Sequence, residues 1–552
     1  MTTALLFYNV ALLAFKFVLK VFFHQIAITK TCPPELLDAE GSPVIFAIAP
    51  HSNQFVDALI LITNCKRQIH FLCAEKSTQR KIVGLFTRMI SVIPVKRQVD
   101  LQQQGKGTIS LDPNGENVIL GEGTQFLSQV APTDYLYLSH PNPNPTLIGC
   151  VESVQSNTTL TLAKQQAKTL PPNSPFSIVP KIDHASMYTR VFQSLAQGQA
   201  IGIFPEGMSH DRTQFLPLKP GIAQMALGAI EAFPQVLEGK LKIIPVTLAY
   251  LHPHKLQSRA AIEFGAPIQI PPSLLKAYRS GDQGKKSAVE GLMGIVHDAL
   301  AEISTSVPDE ASMAVIKTAV FLHQPGGQRI RNIFQRLKLE KQLSLKLAQL
   351  KELHWYRKVE AFNERLSHSR IEYFQLDHHH IPNLSPSQLF VLLGRFVCFM
   401  PGFILNAPAL TLTRVISYHK AEEAKRNSSC KLTGMDVVAS WKIILAAVVF
   451  PAQYLIYYLV LWRLCKIQFL KGGLVFFGAS AAAFWGWLVN ASQMSKTAAQ
   501  IAGAFAYDEA LLGEYAELRG ETERVFEALG LVPAAETRVN YFIGTEDGYD
   551  SY

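Results

Sequence analysis

Two long apolar runs near the carboxyl end put the strongest constraint on how this chain can fold. Residues 443–462 and 470–489 are each close to the roughly 20 residues that an α-helix needs to cross a bilayer. Only a short link that includes Cys465 separates them. The pattern predicts a transmembrane hairpin, so the rest of the chain has to fold beside a lipid bilayer.

The composition supports a membrane partner. Of the 552 residues, 48% are hydrophobic and 17% are charged, and the formal net charge is +9. A basic chain favours an anionic partner, which can be a membrane surface, a phosphorylated substrate or nucleic acid. The excess of apolar residues favours the lipid bilayer, and the lack of an arginine-rich tract argues against nucleic acid. The seven cysteines are scattered without a CxxC pair, so we expect neither a disulfide framework nor a metal site.

Two further hydrophobic stretches are ambiguous. Residues 1–30 begin with an apolar run that carries two lysines and lacks a small-residue cleavage site, which predicts a retained anchor or a helix in the membrane plane. Residues 389–416 contain Pro401 and Pro408 and have basic residues on both sides. Positive charge on both flanks favours a re-entrant or interfacial segment over a full span.

The region between these hydrophobic stretches has an α/β pattern. Short β-rich strands alternate with helical patterns over residues 41–99 and again after residue 183. Between them, residues 101–182 contain short alternating strands separated by Pro, Gly and Asn, which predicts a small antiparallel insertion. The predicted fold class is a three-layer α/β domain split by an antiparallel β insertion and followed by a helical, membrane-embedded carboxyl-terminal region.

These patterns divide the chain into nine predicted segments. They are the N-terminal anchor or in-plane helix (1–30), the first part of the α/β domain (31–100), the β insertion (101–182), the second part of the α/β domain (183–328), a basic helical arm (329–388), the re-entrant or interfacial segment (389–416), a basic cytosolic loop (417–442), the transmembrane hairpin (443–490) and an acidic tail (491–552). For the arm, packing on the core and contact with a membrane surface or a partner are both open.

A histidine and an aspartate stand six positions apart in IAPHSNQFVD, just after the predicted strand that ends at Ala49. Ligands of open α/β sheets bind outside the carboxyl ends of the strands, so His51 and Asp57 occupy a suitable place for a site. About one such spacing is expected by chance in a chain of ordinary composition, so the pair carries little weight alone.

Three later blocks give this pair a context. VIPVKR (92–97), FPEGMSHDRTQFLPLKPG (204–221) and IIPV (243–246) each accompany a predicted strand. The four blocks in this order resemble the signature blocks of the glycerolipid acyltransferases. The first and third look most like those of the fungal-type glycerol-3-phosphate and dihydroxyacetone phosphate acyltransferases, as do the β insertion, GMDVVASWK (434–442) and the late hairpin.

The resemblance implies a reaction and a role for each residue type. A fatty acyl group passes from acyl-CoA, the co-substrate, to a glycerol phosphate hydroxyl, and no other cofactor is implied. A histidine serves as general base with a carboxylate on its other ring nitrogen, and cations bind the acceptor's phosphate. The predicted site residues are catalytic His51 and Asp57 and substrate-binding Lys96, Arg97, Glu206, Gly207, Ser209 and Arg212.

Some of these roles have open alternatives. Glu206 can bind acceptor hydroxyls or organise its own turn, and exposed basic residues such as Lys96 can simply end a strand in solvent. Five residues rather than the common four separate the histidine from the aspartate, so the aspartate must reach back over a longer loop. Met208 and Ser209 follow FPEG where Thr-Arg is common, which makes the phosphate role of Arg212 less secure than that of Arg97.

The expected reaction is acylation of the sn-1 hydroxyl of glycerol 3-phosphate to give lysophosphatidic acid, at the cytosolic face of the endoplasmic reticulum membrane. The same residues could acylate dihydroxyacetone phosphate or lysophosphatidic acid. Two other classes are a non-catalytic membrane scaffold that keeps the fold, and a hydrolase that releases fatty acid from acyl-CoA without an acceptor. The intact set of His51, Asp57, Glu206 and Gly207 argues against the scaffold.

Overall fold

The structure is a computed structural model. It describes residues 3–79, 92–97, 100–113, 117–138, 146–165, 170–181, 185–324, 332–369, 386–428, 430–465, 475–490, 509–531 and 540–543, with residues 84, 87, 88, 90, 330 and 494 between them.

Strands of the described residues form two sheets. The strands are β1 (Phe23–Lys30), β2 (Val44–Ile48), β3 (Ile69–Ala74), β4 (Ile93–Val95), β5 (Gln103–Gln104), β6 (Thr108–Leu111), β7 (Val118–Glu122), β8 (Tyr135–Leu138), β9 (Thr146–Val154), β10 (Thr159–Gln165), β11 (Phe176–Val179), β12 (Ala200–Ile203), β13 (Lys242–Tyr250), β14 (Ser258–Phe264), β15 (Ile268–Gln269) and β16 (Asn540–Ile543).

The larger sheet is mixed and has the order β16-β1-β14-β13-β2-β12-β3-β4, with β15 paired to β13. Its central strands β13, β2, β12, β3 and β4 are parallel, so their carboxyl ends meet at one edge. The smaller sheet is antiparallel, has the order β5-β11-β8-β9-β10-β7-β6, and lies wholly within the predicted insertion.

Helices cover the larger sheet and build the carboxyl-terminal region. They are α1 (Thr3–Phe22), α2 (Pro34–Asp38), α3 (Gln54–Asn64), α4 (Glu75–Thr78), α5 (Phe126–Gln129), α6 (Ala185–Ala196), α7 (Gly221–Ala232), α8 (Pro234–Leu237), α9 (Pro272–Tyr278), α10 (Asp282–Ile303), α11 (Glu310–Leu322), α12 (Ile333–Leu345), α13 (Leu347–Glu352), α14 (His354–Ser369), α15 (Pro386–Arg426), α16 (Val438–Cys465), α17 (Val475–Asn490) and α18 (Glu509–Ala528).

Strand β2 shows why the domain has three layers. Its side chains alternate between the two faces of the sheet, as the pleat requires. Phe46 and Ile48 join a core cluster with α1 and α3, whereas Ile45 and Ala47 join a second cluster with α6, α7 and α10. All five residues of β2 are buried, which explains its continuous apolar run. The predicted fold class is confirmed.

The amino-terminal segment differs from its prediction. Helix α1 ends at Phe22, and residues 23–30 form β1, which pairs in parallel with β14. The apolar run passes into FHQIAITK without a helix-stop signal, so the change from helix to strand is hidden in the sequence. One face of α1 is buried in the core, including Phe15 and Leu19, and this packing favours the in-plane helix over a membrane-crossing anchor.

The basic arm and the acidic tail pack together. Helices α11, α14 and α18 share one hydrophobic cluster. Lys358 on α14 pairs with Glu517 and Glu521 on α18, and Arg365 pairs with Glu514. The described part of the arm therefore packs against α11 and α18. Most of the predicted tail outside α18 and β16 lies outside the described residues.

The long apolar helices differ in part from the predicted segments. By length and composition, two helices of the described chain could cross a bilayer, Phe390–Arg426 and Met435–Leu464. Helix α15 is one continuous helix of 41 residues with Pro401 and Pro408 inside it, so residues 389–416 do not turn back as a re-entrant segment would. The predicted loop 417–442 is largely helical. Part of the second hairpin run lies outside the described residues, and α17 covers the rest.

A segment that runs from just after α15 into the start of α16 fastens the carboxyl-terminal region to the α/β domain. We call residues 430–442 the docking segment. The Asp211 carboxylate accepts hydrogen bonds from the backbone N–H groups of Leu432, Thr433 and Gly434, each at 2.7 Å. Burial alone would raise the pKa of Asp211, but hydrogen bonds from the Thr433 hydroxyl and these backbone groups outweigh it and hold the pKa below its ordinary value. A single ionised side chain thus holds one turn of the docking segment.

Replacing Arg67 should destabilise the α/β domain. Its guanidinium is buried and donates to the carbonyl oxygens of Leu36, Ser42 and Gly198. Arg67→Met leaves these buried acceptors without donors, at a cost of about 2–5 kcal/mol. Thermal unfolding in detergent measures the loss, with Lys66→Met as the control, because the side chain of Lys66 is 79% exposed and its ion pair contributes little. Equal stability of the two variants would contradict the assigned role.

Replacing Asp211 should make stability less dependent on pH. Because the folded-state pKa of Asp211 is depressed, its stabilisation is complete above the ordinary carboxyl pKa and is lost as the pH falls through the folded-state value. At neutral pH, Asp211→Asn should lower the unfolding midpoint by about 2–5 °C. The difference in unfolding midpoint between Asp211→Asn and the wild type should become smaller as the pH is lowered. Glu238→Gln, at an exposed ion pair, is the control, and a difference that stays constant with pH would count against the assignment.

Candidate active site

The carboxyl end of β2 brings the predicted histidine and aspartate together. His51 lies three residues after β2, and Asp57 lies in the first turn of α3. The His51 Nδ1 atom is 2.8 Å from the Asp57 Oδ2 atom. The two side chains are 13% and 0% exposed, respectively, and the His51 ring stacks on the ring of Phe204 with a centroid distance of 3.8 Å. The pair is held rigidly, and its histidine reaches solvent.

The Asp57 carboxylate is fully buried, and both of its oxygens accept hydrogen bonds. Besides His51, its Oδ2 accepts from the backbone N–H of Asn53 at 2.9 Å, and its Oδ1 accepts from the Tyr250 hydroxyl at 2.5 Å. Burial, with the adjacent Asp57 charge, raises the pKa of Tyr250 well above its ordinary value, so the hydroxyl keeps its proton and donates. With Asp57 accepting from Nδ1, the neutral His51 ring carries its proton there and leaves Nε2 as an acceptor.

Glu206 organises the turn that faces this pair. Its Oε2 accepts from the His51 backbone N–H at 2.6 Å, and its Oε1 accepts from His210 Nε2 at 2.8 Å and from the Leu216 N–H at 2.9 Å. The carboxylate is 2% exposed. The Glu206 side chain thus links the first and third blocks.

Gly207 and Lys219 lie against each other beside that turn. Gly207 has φ +78°, and a Cβ atom at this position would lie 2.5 Å from the Lys219 Nζ atom. The positive φ favours a glycine here, and any side chain would also have to displace the flexible end of Lys219. Lys219 comes from the same block, in FLPLKPG, and sequence reasoning gave it no role.

A pocket of about 900 Å³ opens at His51. It lies between the α/β domain and the carboxyl-terminal helices, so both regions build it. One part of its wall is apolar and another carries cations. The lining includes His51, Phe71, Cys73, Ile90, Arg97, Phe204, Gly207, Ser209, Lys219, Lys420, Lys431 and Trp441.

The three cations predicted to bind phosphate lie in different surroundings in the structure. Arg97 lines the pocket and makes a two-pronged ion pair with Asp100, at 2.7 and 2.9 Å. Lys96 is exposed and is not among the pocket residues. Arg212 points its Nε to the Cys430 carbonyl oxygen at 2.7 Å, outside the pocket lining. Arg212 therefore contacts the docking segment, and of the three cations only Arg97 faces the pocket.

Ser209 is also tied to the docking segment. Lys431 Nζ donates to the Ser209 carbonyl and hydroxyl oxygens at 2.8 and 3.1 Å, and it pairs with Asp436. Sequence reasoning missed Lys431 and Lys420 as pocket residues, because both lie far beyond the third block in the chain and no local pattern marks them. The resemblance of GMDVVASWK to the fungal-type enzymes was the one signal that pointed to this region.

Family models match two regions of the chain. An acyltransferase model matches residues 131–249, and the model described as glycerol-3-phosphate acyltransferase 2 C-terminal domain matches residues 315–500. The first includes Glu206 and its turn, although His51 and Asp57 lie before it. The second includes α15, the docking segment and α16.

Fungal proteins are similar over most of the chain. Glycerol-3-phosphate O-acyltransferase 1 of Saccharomyces cerevisiae is 33% identical over 75% of this chain and 56% of its own length. An uncharacterized acyltransferase of Schizosaccharomyces pombe is 30% identical over 76% of this chain and 63% of its own length. Glycerol-3-phosphate O-acyltransferase 2 of S. cerevisiae is 28% identical over 84% of this chain and 66% of its own length. The chain thus spans roughly three fifths of the first two relatives.

The predicted resemblance is confirmed by the family models and by the relatives. The chain matches an acyltransferase model and a glycerol-3-phosphate acyltransferase 2 C-terminal domain model, and it is similar to fungal glycerol-3-phosphate O-acyltransferases over most of its length.

Proposed function

We propose that this protein transfers a fatty acyl group from acyl-CoA to the sn-1 hydroxyl of glycerol 3-phosphate and so forms lysophosphatidic acid. The observation that carries the proposal is the buried Asp57 carboxylate on His51, at the mouth of a pocket that also holds cations. The names of two fungal relatives support glycerol 3-phosphate as the acceptor.

The base is His51. Its Nε2 takes the proton from the acceptor hydroxyl as that oxygen attacks the thioester carbonyl carbon, and the bond between carbon and sulfur breaks to release CoA. Such a base contributes about 10² to 10⁴ in rate. Asp57 holds the ring orientation and stabilises the imidazolium that forms, and the Tyr250 hydroxyl holds Asp57.

The transfer needs no covalent acyl-enzyme. Cys73 lines the pocket, and burial raises the pKa of its thiol, which keeps it protonated and a poor nucleophile. The thioester already supplies an activated acyl group. Direct attack by the glycerol hydroxyl therefore fits the side chains around His51 better than a two-step route.

The polar and apolar parts of the pocket suit the two substrates. Arg97 and Lys219 offer cations for phosphate groups, and the Gly207 turn lets a substrate approach the backbone closely. Phe71 and Ile90 offer apolar surface for an acyl chain. The volume of about 900 Å³ is enough for the reacting ends of both substrates together.

The reaction belongs at a membrane surface. Helices α15 and α16 expose large apolar side chains, among them Phe390, Val397, Ile404 and Ile456, which suit contact with lipid. Lys420 and Lys425 near the end of α15 and Lys442 near the start of α16 favour a cytosolic position for the active site. From the resemblance to the fungal-type acyltransferases, we propose the endoplasmic reticulum as the membrane.

An acceptor assay tests this function directly. Purified protein receives labelled acyl-CoA with glycerol 3-phosphate, dihydroxyacetone phosphate, lysophosphatidic acid or no acceptor. Label should appear in lysophosphatidic acid with glycerol 3-phosphate present. Equal release of fatty acid with and without acceptor would identify a hydrolase. A higher kcat/KM for another acceptor would show that this acceptor, and not glycerol 3-phosphate, is the preferred substrate.

Removing the base should abolish transfer. His51→Ala should lower kcat by at least about 100-fold, and Asp57→Asn should lose less, because an orienting group is partly replaceable. Both rates come from the same acyl transfer assay. His297→Ala is the control, since that histidine is exposed on α10. Retention of more than about a tenth of wild-type kcat by His51→Ala would rule out a general base at this position.

Substitutions of Arg97 and of its neighbour Lys96 test which of the two binds the phosphate of the acceptor. Arg97→Ala should raise the KM for the acceptor by about 10-fold or more, because a charge-assisted contact to phosphate is lost. Lys96→Ala should leave it nearly unchanged, since Lys96 lies outside the pocket lining. Equal effects of Arg97→Ala on both substrates would indicate that its pair with Asp100 is structural.

A further inference from the structure

The first turn of the apolar helix α16 reaches the helix that carries the catalytic aspartate. The Ser440 hydroxyl oxygen accepts a hydrogen bond from the Phe55 backbone N–H at 3.1 Å. Phe55 lies in the first turn of α3, two residues before Asp57. Ser440 is 1% exposed, so water does not replace this contact.

Helix α3 lacks the usual local cap. The first N–H groups of a helix have no partner within it, and a Ser, Thr, Asp or Asn at the N-cap normally accepts from one of them. Asn53 occupies that position but makes no side-chain cap hydrogen bond, and its Nδ2 donates instead to the Pro253 carbonyl at 3.3 Å. Gln54 has a backbone φ of +30°, a value that residues other than glycine rarely adopt. A residue 385 positions away therefore supplies the capping oxygen.

Other contacts fix Ser440 in place. Ala439 and Ile443 are buried in the same hydrophobic cluster as Val56 and Leu59 of α3. Lys442 Nζ donates to the His254 carbonyl oxygen at 2.7 Å, in the loop that follows Tyr250. The start of α16 thus packs on α3 and on the loop that follows β13, and the last residue of β13 is Tyr250, which bonds to Asp57.

We propose that Ser440 is a positioning residue for the reaction, which caps the catalytic helix from the carboxyl-terminal region and so holds Asp57 against His51. It touches neither substrate nor the reacting atoms. The docking segment thus supplies the cap of α3, and the position of Asp57 relative to His51 depends on how the start of α16 packs against α3. This inference rests on the proposed catalytic role of His51 and Asp57.

Three substitutions at this position and one elsewhere test the proposal. Ser440→Ala removes the oxygen, Ser440→Cys keeps the approximate volume but offers a weak acceptor, and Ser440→Thr keeps the oxygen. Ser417→Ala is the matched control, because Ser417 is also fully buried and, among the described residues, its hydroxyl bonds to its own helix at the Arg414 carbonyl. Each variant is purified in detergent, its unfolding midpoint is measured, and kcat and both KM values are determined.

Loss of the cap should appear in kcat and not in binding. Ser440→Ala and Ser440→Cys should lower kcat by about 2- to 30-fold, the range that corresponds to loss of a capping hydrogen bond. Both KM values should stay within about twofold of the wild type. Ser440→Thr should restore most of kcat, and Ser417→Ala should leave it unchanged. The Cys variant is informative even if the Ala variant does not fold.

Other outcomes would overturn the proposal. Wild-type kcat in both Ser440→Ala and Ser440→Cys would show that the contact does not position the base. A rise of both KM values with unchanged kcat would assign Ser440 to substrate binding, and a loss in Ser417→Ala as large as that in Ser440→Cys would indicate a general effect of packing.

The experiment also separates failure of this inference from failure of the proposed function. If the wild type does not use glycerol 3-phosphate, the proposed function fails on the wild-type assay alone. The ratio of kcat between Ser440→Cys and the wild type can still be measured with whichever acceptor the wild type does use.

Discussion

The complete burial of the Asp57 carboxylate is the constraint on which the rest of the active site depends. A charge removed from water must be compensated by hydrogen-bond donors that the fold supplies. Here the donors are the His51 ring, the Asn53 backbone and the Tyr250 hydroxyl. They come from the loop after β2, the start of α3 and the end of β13. These elements must therefore meet at one edge of the sheet before the charge can be accommodated.

Three consecutive residues of one block connect that edge to the remainder of the protein. His210 bonds to Glu206 and, through its backbone N–H, to the His51 carbonyl oxygen at 3.0 Å. Asp211 accepts hydrogen bonds from backbone N–H groups of the docking segment, and Arg212 donates to the Cys430 carbonyl oxygen. The block thus links the catalytic loop with the carboxyl-terminal helices, which accounts for polar side chains that a phosphate role alone does not explain.

Local patterns in the sequence predicted the alternation of strands and helices and the β insertion, because each depends on residues close together in the chain. The pairing of His51 with Asp57 was implied by the resemblance to the acyltransferases. The local patterns did not predict β1, since the apolar helix runs into it without a break. They also missed the contact between Phe55 and Ser440, which are 385 positions apart. Arg212 was assigned to phosphate by analogy, yet its orientation is set by a carbonyl more than 200 residues away. Contacts of this kind leave no periodicity or spacing to read.

The connections on either side of α15 limit how that helix can meet a bilayer. Before it, Ile333 and Phe334 of the arm are buried against Ala27 and Ala261 of the larger sheet. After it, the docking segment is bonded to the same domain at Asp211. A chain that leaves a folded domain and returns to it crosses any lipid layer an even number of times. The 41 residues of α15 are enough for one crossing, and such a crossing would require a second one between the arm and the docking segment.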